Sequence, residues 1–357
     1  MNKLKIGFVG SGFMGQNAHM FNYGMLDDQC EIVALAEPRP LLAEKVARRY
    51  SIPRIYANHL ELLKNEKLDA VVASQPYHRH SILIPDILKA GVPVFTEKPL
   101  TLSVEEGEKL VKLGEERNVL HMVGYHKRSD PAMEYAKALI EEWKLSGEFG
   151  KLNYVRVSMP PGDWIGGADR PLYTDEPTGV SEWEASPVGM TEEQAKQYDS
   201  FVNYYIHQVN AIRFVLGEPY KFSFADPSGT LMVGESESGR CVTLEMGTYV
   251  TSIEWHESIL VTFEKGFIRI DLPAPLARQL AGKVTVMRDN GQSVPTLTQP
   301  IMPNTGAMRQ QAINFLAAVR GDKPAPCIAK EALEDLKIAR DYIYFMARHQ
   351  KQMIHIN

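Results

Sequence analysis

The tightest constraint in this chain is the hexapeptide Gly10-Ser11-Gly12-Phe13-Met14-Gly15, three glycines in the spacing G-x-G-x-x-G. It directly follows an apolar run at residues 5–9 and directly precedes a stretch with helical character at 16–26. A strand that turns at once into a helix needs such glycines for distinct reasons: one for the tight turn, one to let a ligand approach the backbone, one for close helix–strand packing. The helix that follows offers free N–H groups and the positive end of its dipole, the combination that receives a pyrophosphate. Alone the motif is a weak pointer, because a purely structural glycine turn reads the same way. Its surroundings decide.

On both sides of the turn, short apolar runs alternate with amphipathic stretches. Runs at 31–36, 70–73, 92–96 and 120–123 read, with 5–9, as strands buried on both faces. Stretches at 41–50, 80–90 and 104–117 read, with 16–26, as the helices between them. Short connections between alternating strands and helices predict βαβ units and a doubly wound parallel α/β sheet, a Rossmann domain over residues 1–125. The pattern then changes. A helix at 131–145 and a strand at 152–159 lead into an irregular segment at 160–199, and helical character returns at 201–216. Several strands follow, separated by turn signals at 236–239, Lys265-Gly266 and Asp289-Asn290-Gly291, which predicts a largely antiparallel sheet. Helices near 308–320 and 330–349 close the chain, so residues 126–357 are expected to form a second, α+β domain on a large open sheet.

Composition narrows the functional classes. A length of 357 residues exceeds one comfortable core and favours two domains. The formal charge of −5 supplies no field for nucleic acid or an anionic membrane, and no basic stripe interleaved with aromatics is present. Three widely separated cysteines, Cys30, Cys241 and Cys327, argue against a disulfide framework or a thiolate zinc site and point to a reducing compartment. No metal site is expected from the ten histidines, which show no paired helical spacing backed by a carboxylate. The first residues carry no secretory pattern, and no stretch approaches the roughly 18 apolar residues of a membrane helix. The expectation is a soluble, cytoplasmic protein.

Glu37 ends the second predicted strand, where a carboxylate can accept the hydroxyls of an adenosine ribose and repel a 2′-phosphate. Arg39, two residues on, could stack on adenine or reach such a phosphate. NAD is therefore favoured, with NADP as the alternative. Solvated loop charges are the plainer reading of both residues.

Further along stand Ala73-Ser74-Gln75-Pro76-Tyr77-His78-Arg79-His80, Ala90-Gly91-Val92-Pro93-Val94 and Thr96-Glu97-Lys98-Pro99-Leu100. With these segments the sequence resembles the Gfo/Idh/MocA oxidoreductases, named for glucose–fructose oxidoreductase and inositol dehydrogenase, over nearly the whole chain. The resemblance implies an NAD(P)-dependent oxidoreductase that transfers hydride from a secondary hydroxyl of a sugar, cyclitol or glycoside. It implies a cofactor site drawn from Gly10, Gly12, Phe13, Met14, Glu37, Arg39, Ser74, Gln75, Pro76, His80, Glu97 and Lys98. Lys98 is implied to lie at the nicotinamide end, in contact with the reacting oxygen, where an ammonium stabilises a developing alkoxide. Outside that triplet, a lysine after a strand is usually a surface charge.

Inositol dehydrogenase-like members also carry an Asp and a His four apart on a helix of the second domain. The matching segment here is Asn203-Tyr204-Tyr205-Ile206-His207-Gln208-Val209-Asn210. Spacing of i and i+4 would set Asn203 and His207 on one helical face, with His207 poised to exchange a proton near neutral pH. An amide at 203 cannot take a proton, but it can orient the ring. A buried structural histidine is the plain alternative. Tyr125 and His126, after the last strand of the first domain, are implied to contact substrate or nicotinamide, and Tyr205 is a further candidate for the proton path.

The irregular segment contains Trp164, Tyr173 and Trp183 among Asp163, Asp169, Asp175 and Glu182. Flat aromatic faces and carboxylates suit a polyhydroxylated ring, so the segment is expected to wall a sugar site, with Trp164 nearest the nicotinamide. A solvated excursion or a subunit contact would look similar. Two competing functions stay open: transient sugar oxidation by a tightly bound NAD that enables elimination or epimerisation, and a catalytically silent NAD-binding regulator. The resemblance also implies a homo-oligomer paired through the open face of the second sheet, to which the alternation in Phe267-Ile268-Arg269-Ile270-Asp271-Leu272 could belong.

Overall fold

A computed structural model describes residues 2–354. The chain divides into two compact units, each assembled from separated stretches. The stretch up to Tyr125, Ala168–Met190 and Met308–Leu336 form the first; His126–Gly167, Thr191–Ala307 and the stretch from Lys337 onward form the second. The sequence predicts a single cut, with everything from 126 on in one domain. Two later stretches instead return to the first unit. Periodicity is local and does not report which sheet a helix covers. The helix Ala307–Arg320, for instance, sets Phe315 against Phe95, ring centroids 5.7 Å apart, in the first unit's core.

In the first unit, β1 (Leu4–Val9), β2 (Cys30–Ala36), β3 (Arg54–Tyr56), β4 (Ala70–Ala73), β5 (Val94–Glu97) and β6 (His121–Gly124) pair in the order β3-β2-β1-β4-β5-β6. Every pairing is parallel. The residues of β4, β5 and β6 are all buried, as a strand covered on both faces requires. Strand order reverses between β1 and β4, the place where a doubly wound sheet opens a crevice at its carboxyl edge. Helices between the strands are closed by their own sequence. Ser103 accepts from the Glu106 N–H to begin Val104–Arg117, and Asn118, at φ 52°, ends it in the left-handed region. The edge strand β3 and the helix His59–Asn65 fall where no apolar run is present: Arg54 and Ile55 are exposed and Tyr56 is half-buried.

The second unit is built on β7 (Leu152–Met159), β8 (Tyr220–Ala225), β9 (Leu231–Ser236), β10 (Cys241–Met246), β11 (Glu257–Phe263), β12 (Gly266–Leu272), β13 (Lys283–Arg288) and β14 (Thr296–Thr298). Their order is β14-β13-β12-β11-β7-β10-β9-β8, antiparallel throughout except for the parallel pair of β7 and β10. Strand β11 alternates buried and half-buried residues along its length, the signature of a sheet covered on one face only. On the covered face pack the helices Pro131–Ser146 and Ile206–Leu216. Asp130 caps the first by accepting from the Ala132 N–H, and Gly147 ends it at φ 65°. The helix Glu192–Tyr204 begins inside the stretch expected to be irregular and runs into the one expected to be helical, opened by a capping box between Thr191 and Gln194.

Among the described residues no helix is long and apolar enough to cross a membrane. The largest buried side chain of the second unit is Trp143, stacked on Phe149 at 4.0 Å and set edge-on to Phe263 at 5.1 Å. Trp143→Ala should lower unfolding stability by about 3–5 kcal/mol, measured by chemical denaturation, because the ring leaves a cavity between helix and sheet.

Candidate cofactor and active site

The turn after β1 is knitted to the turn after β4. Gly10 N–H donates to Ala36 O at 2.8 Å and Ser74 N–H to Val9 O at 2.9 Å. Gly10 sits at φ +93°, and a Cβ there would meet Ser74 O and the Gln75 amide nitrogen at 2.4 Å. Gly15 is likewise crowded, a Cβ falling 2.9 Å from Gly10 O. Gly12 differs: nothing lies within 4 Å of the Cβ it lacks. The protein's own packing thus requires the outer glycines and leaves open space over the exposed middle one. That is the cradle a pyrophosphate needs, at the start of a helix whose first turns, Gly15–Met20, are widened into π geometry. Phe13 and Met14 are half-buried beside it. These residues fit the dinucleotide that the fold implies.

At the end of β2, Glu37 is buried and its carboxylate is fully engaged. One oxygen accepts from Ser11 N–H (3.1 Å), Ser11 Oγ (2.7 Å) and Arg39 Nη2 (3.0 Å); the other accepts from Arg39 Nε at 2.6 Å. Burial alone would raise this carboxyl, but the Arg39 and Ser11 hydrogen bonds hold it below the usual carboxylate range. The Glu37 hydrogen bond in turn pushes the Arg39 guanidinium up. The two residues are a buried-to-surface ion pair, not separate solvated charges. Ribose hydroxyls reaching Glu37 must share it with Ser11 and Arg39.

Beyond β4, Ser74 and Gln75 are half-buried and Pro76 is exposed along the same edge. His80, expected at the cofactor, is buried at this edge. It is 0% exposed, and its Nδ1 pairs with Leu100 O at 3.0 Å, joining the segments that follow β4 and β5. Glu97 ends β5 with its carboxylate 2.8 Å from His19 Nε2 and 3.3 Å from the Lys98 N–H. His19, on the helix behind the glycine turn, is a participant that the sequence did not reveal; its only signal was a polar residue on a helix face that turns out to be buried. Lys98 follows, half-buried, at the carboxyl edge of the sheet, and its peptide to Pro99 is cis. Tyr125 is buried just past β6.

The expected single sugar wall divides. Trp164, 38% exposed, belongs to the second unit, where its carbonyl accepts from Leu276 N–H at 3.2 Å. Tyr173 and Trp183 belong to the first unit, on a strap over residues 168–190 that crosses helix N-termini at the carboxyl edge. Leu172 pairs with the Gln16 side chain in both directions, at 2.8 and 3.0 Å. Glu176 accepts from the Leu41 and Leu42 N–H groups, both at 3.1 Å. Glu184 accepts from Ser103 N–H (2.8 Å), Ser103 Oγ (2.9 Å) and Ser81 Oγ (2.9 Å).

In the second unit, the His126 and His207 rings meet edge to face, centroids 4.5 Å apart. Each precedes a residue that binds the buried Glu257. Lys127 makes a short ion pair with it, and Gln208 Nε2 donates to it at 2.7 Å. Trp255 Nε1 donates to the same carboxylate at 3.0 Å. Asn203 and His207 do not share one continuous helix. The first helix ends at Tyr204 and the next begins at Ile206, with Asn203 exposed and His207 half-buried. Asn210, a turn on, accepts from Arg128 Nε at 2.6 Å and is buried.

Burial pushes the His80 imidazole down to about 4 and the His121 imidazole to about 3. Both groups fold neutral. The stability they contribute is therefore complete above the unfolded pKa near 6.5 and lost as pH falls through the folded values. Denaturation midpoints should drop between pH 6.5 and 4, with His80 accounting for on the order of 3 kcal/mol. In His80→Gln the level of stability falls but this slope should become shallower.

A family model described as an oxidoreductase family with an NAD-binding Rossmann fold matches residues 4–125. The chain is 26% identical to levoglucosan dehydrogenase of Pseudarthrobacter phenanthrenivorans over 251 residues, covering 67% of this chain and 62% of that protein. It is 33% identical to scyllo-inositol 2-dehydrogenase (NAD(+)) of Bacillus subtilis over 140 residues, covering 38% of this chain and 40% of the relative. The matches thus span less than two thirds of these relatives' lengths. A solved levoglucosan dehydrogenase in complex with NADH and L-sorbose superposes with a TM-score of 0.74 at 18% identity, over 98% of both chains, a likeness of fold. Residues 4–125, with the glycine cradle they form, match the NAD-binding Rossmann domain of the Gfo/Idh/MocA oxidoreductase family.

Proposed function

We propose that this protein is an NAD-dependent dehydrogenase that oxidises a secondary hydroxyl of a sugar, cyclitol or glycoside, or reduces the matching ketone. The observation that carries the reading is the open cradle over Gly12, on the same sheet edge as Lys98. Parallel strands put their carboxyl ends on one edge, and β1 and β5 are separated there by β4 alone, a span of about 10 Å. The dinucleotide, when bound, supplies the acceptor for the hydride that leaves the hydroxyl-bearing carbon. Lys98 holds its ammonium toward the reacting oxygen and stabilises the charge that grows as the hydroxyl proton leaves. For the second unit we propose His207, beside the His126 ring, as a proton-exchanging group and Trp164 as a flat face suited to the C–H side of a sugar ring. Tyr125 and Asn203 complete the proposed substrate contacts. The relatives named for levoglucosan and inositol put anhydrosugars and cyclitols first among substrates to try. The half-exposed face of the second sheet, bearing Phe267 and Asp271, is the surface we propose for self-association. Free cysteines suit a reducing cytoplasm.

A second reading, in which NAD remains bound while transient oxidation enables elimination or epimerisation, is favoured by one feature. The strap is fastened to Gln16 immediately behind the glycine turn, a placement that would suit slow cofactor exchange.

Absorbance at 340 nm with NAD and a panel of such sugars tests the first reading. Stoichiometric NADH is expected from the wild type, with kcat reduced about 10²- to 10⁴-fold in Lys98→Met. Gly12→Ala, whose Cβ would meet no protein atom within 4 Å, should weaken NAD binding while leaving the thermal midpoint unchanged. Turnover without added NAD or free NADH selects the second reading. Absent turnover of every sugar, with NAD still bound, rejects both in favour of a silent regulator.

A further inference from the structure

Selectivity between NAD and NADP is decided where the adenosine 2′-position meets the end of β2 and the start of the next helix. Two groups there would receive a 2′-phosphate: the guanidinium of Arg39 and the free N–H groups opening Pro40–Tyr50. Both are already engaged by carboxylates. The Arg39 fork is held by Glu37 at 2.6 and 3.0 Å. Pro40 has no N–H to give, and the Leu41 and Leu42 N–H groups each donate to one oxygen of Glu176 at 3.1 Å. A carboxylate thus occupies the anion position that a phosphate would otherwise take.

We infer that Glu176, carried on the strap over residues 168–190, is a cofactor-selecting residue that makes the ribose end of this site reject the 2′-phosphate of NADP and accept NAD. The inference rests on the dinucleotide reading above. Glu176 is not a loosely placed side chain. The strap is tied on one side of it by the paired Leu172–Gln16 hydrogen bonds and on the other by Glu184 at the head of Val104–Arg117. Its charge is felt at the site: after Glu37, Glu176 is the next carboxylate that raises the Arg39 guanidinium. Partial desolvation works to raise the Glu176 carboxyl, yet the Leu41 and Leu42 N–H groups and Arg39 hold it below the usual range, so it is anionic at neutral pH. A 2′-phosphate brought to this place meets two carboxylates and finds its donors taken. A 2′-hydroxyl is neutral and carries no such penalty.

The test is calorimetric titration of the full chain with NAD and with NADP, for the wild type, Glu176→Gln and Glu176→Ala. The wild type should bind NAD at least about tenfold more tightly than NADP. Both variants should narrow that ratio by about tenfold, chiefly through tighter NADP binding, as one of the two carboxylates facing the 2′-position loses its charge and, in Glu176→Ala, the Leu41 and Leu42 N–H groups become available. A merely structural role would weaken both dinucleotides together and leave the ratio alone, so the ratio is the readout. Glu176→Gln keeps an acceptor for the helix N–H groups and carries the test if Glu176→Ala does not fold. A wild type without preference, or a ratio within about twofold of wild type in the variants, overturns the inference while NAD binding stands. A wild type that binds neither dinucleotide overturns the dinucleotide reading as well.

Discussion

The first unit depends on how closely two turns approach each other at the carboxyl edge of its sheet. Gly10 can lie under Ser74 and Gln75 only because it has no Cβ and because it adopts φ +93°, a conformation other L-residues rarely take. That approach brings β1 and β4 together at the point where strand order reverses, and it leaves Gly12 facing open space. Glu37 reaches back to Ser11 within the same turn, so the end of β2 is fixed by the loop it helps to shape. The nucleotide site is thus largely a by-product of packing the sheet.

Carboxylates then distribute the remaining positive ends along this edge. Helix N-termini leave unsatisfied N–H groups, each a place for an anion. Glu176 fills one and Glu184 another, both from the strap that the rest of the chain sends back across the edge. The turn at Gly12 is left exposed. A phosphate approaching the edge is guided to that place by subtraction, its competitors having been neutralised by residues far away in sequence.

This distance explains what could be read from the sequence. Strands β1, β2, β4, β5 and β6 announce themselves by apolar runs, and the glycine turn by its spacing, since both signals are local. Strand β3 has none, being three residues at the sheet margin with two of them exposed. The helix Glu192–Tyr204 did carry a signal, the Thr191-Glu192-Glu193-Gln194 capping box, which was masked by the polar, aperiodic chain before it. The return of 168–190 and 308–336 to the first sheet is a long-range choice with no local mark. Among the candidate site residues, Glu37 was pointed to by its place after a strand, and Lys98 by the resemblance of the Glu97-Lys98-Pro99 triplet. His19, Glu176 and Glu257 were not, because each acts through a partner between 78 and 134 residues away, or more than a hundred in two of the three cases.

The second unit sets its histidines by the same kind of remote anchor. Burying Lys127 and Glu257 removes two charges from water, a cost that is offset only when the remaining hydrogen-bonding capacity is met. Gln208 and Trp255 meet it on the carboxylate, and the Lys127 ammonium lies 5.6 Å from the Trp255 ring centre. Lys127 and Gln208 are therefore pinned to one carboxylate. His126 and His207 immediately precede them in sequence, and their rings are brought to 4.5 Å. The position of the His207 backbone thus follows from Glu257 and not from residue 203, which is exposed on the far side of the break at Tyr205. The amide at 203 leaves that anchor untouched, and the proton chemistry proposed for His207 does not require an acidic neighbour to place the ring.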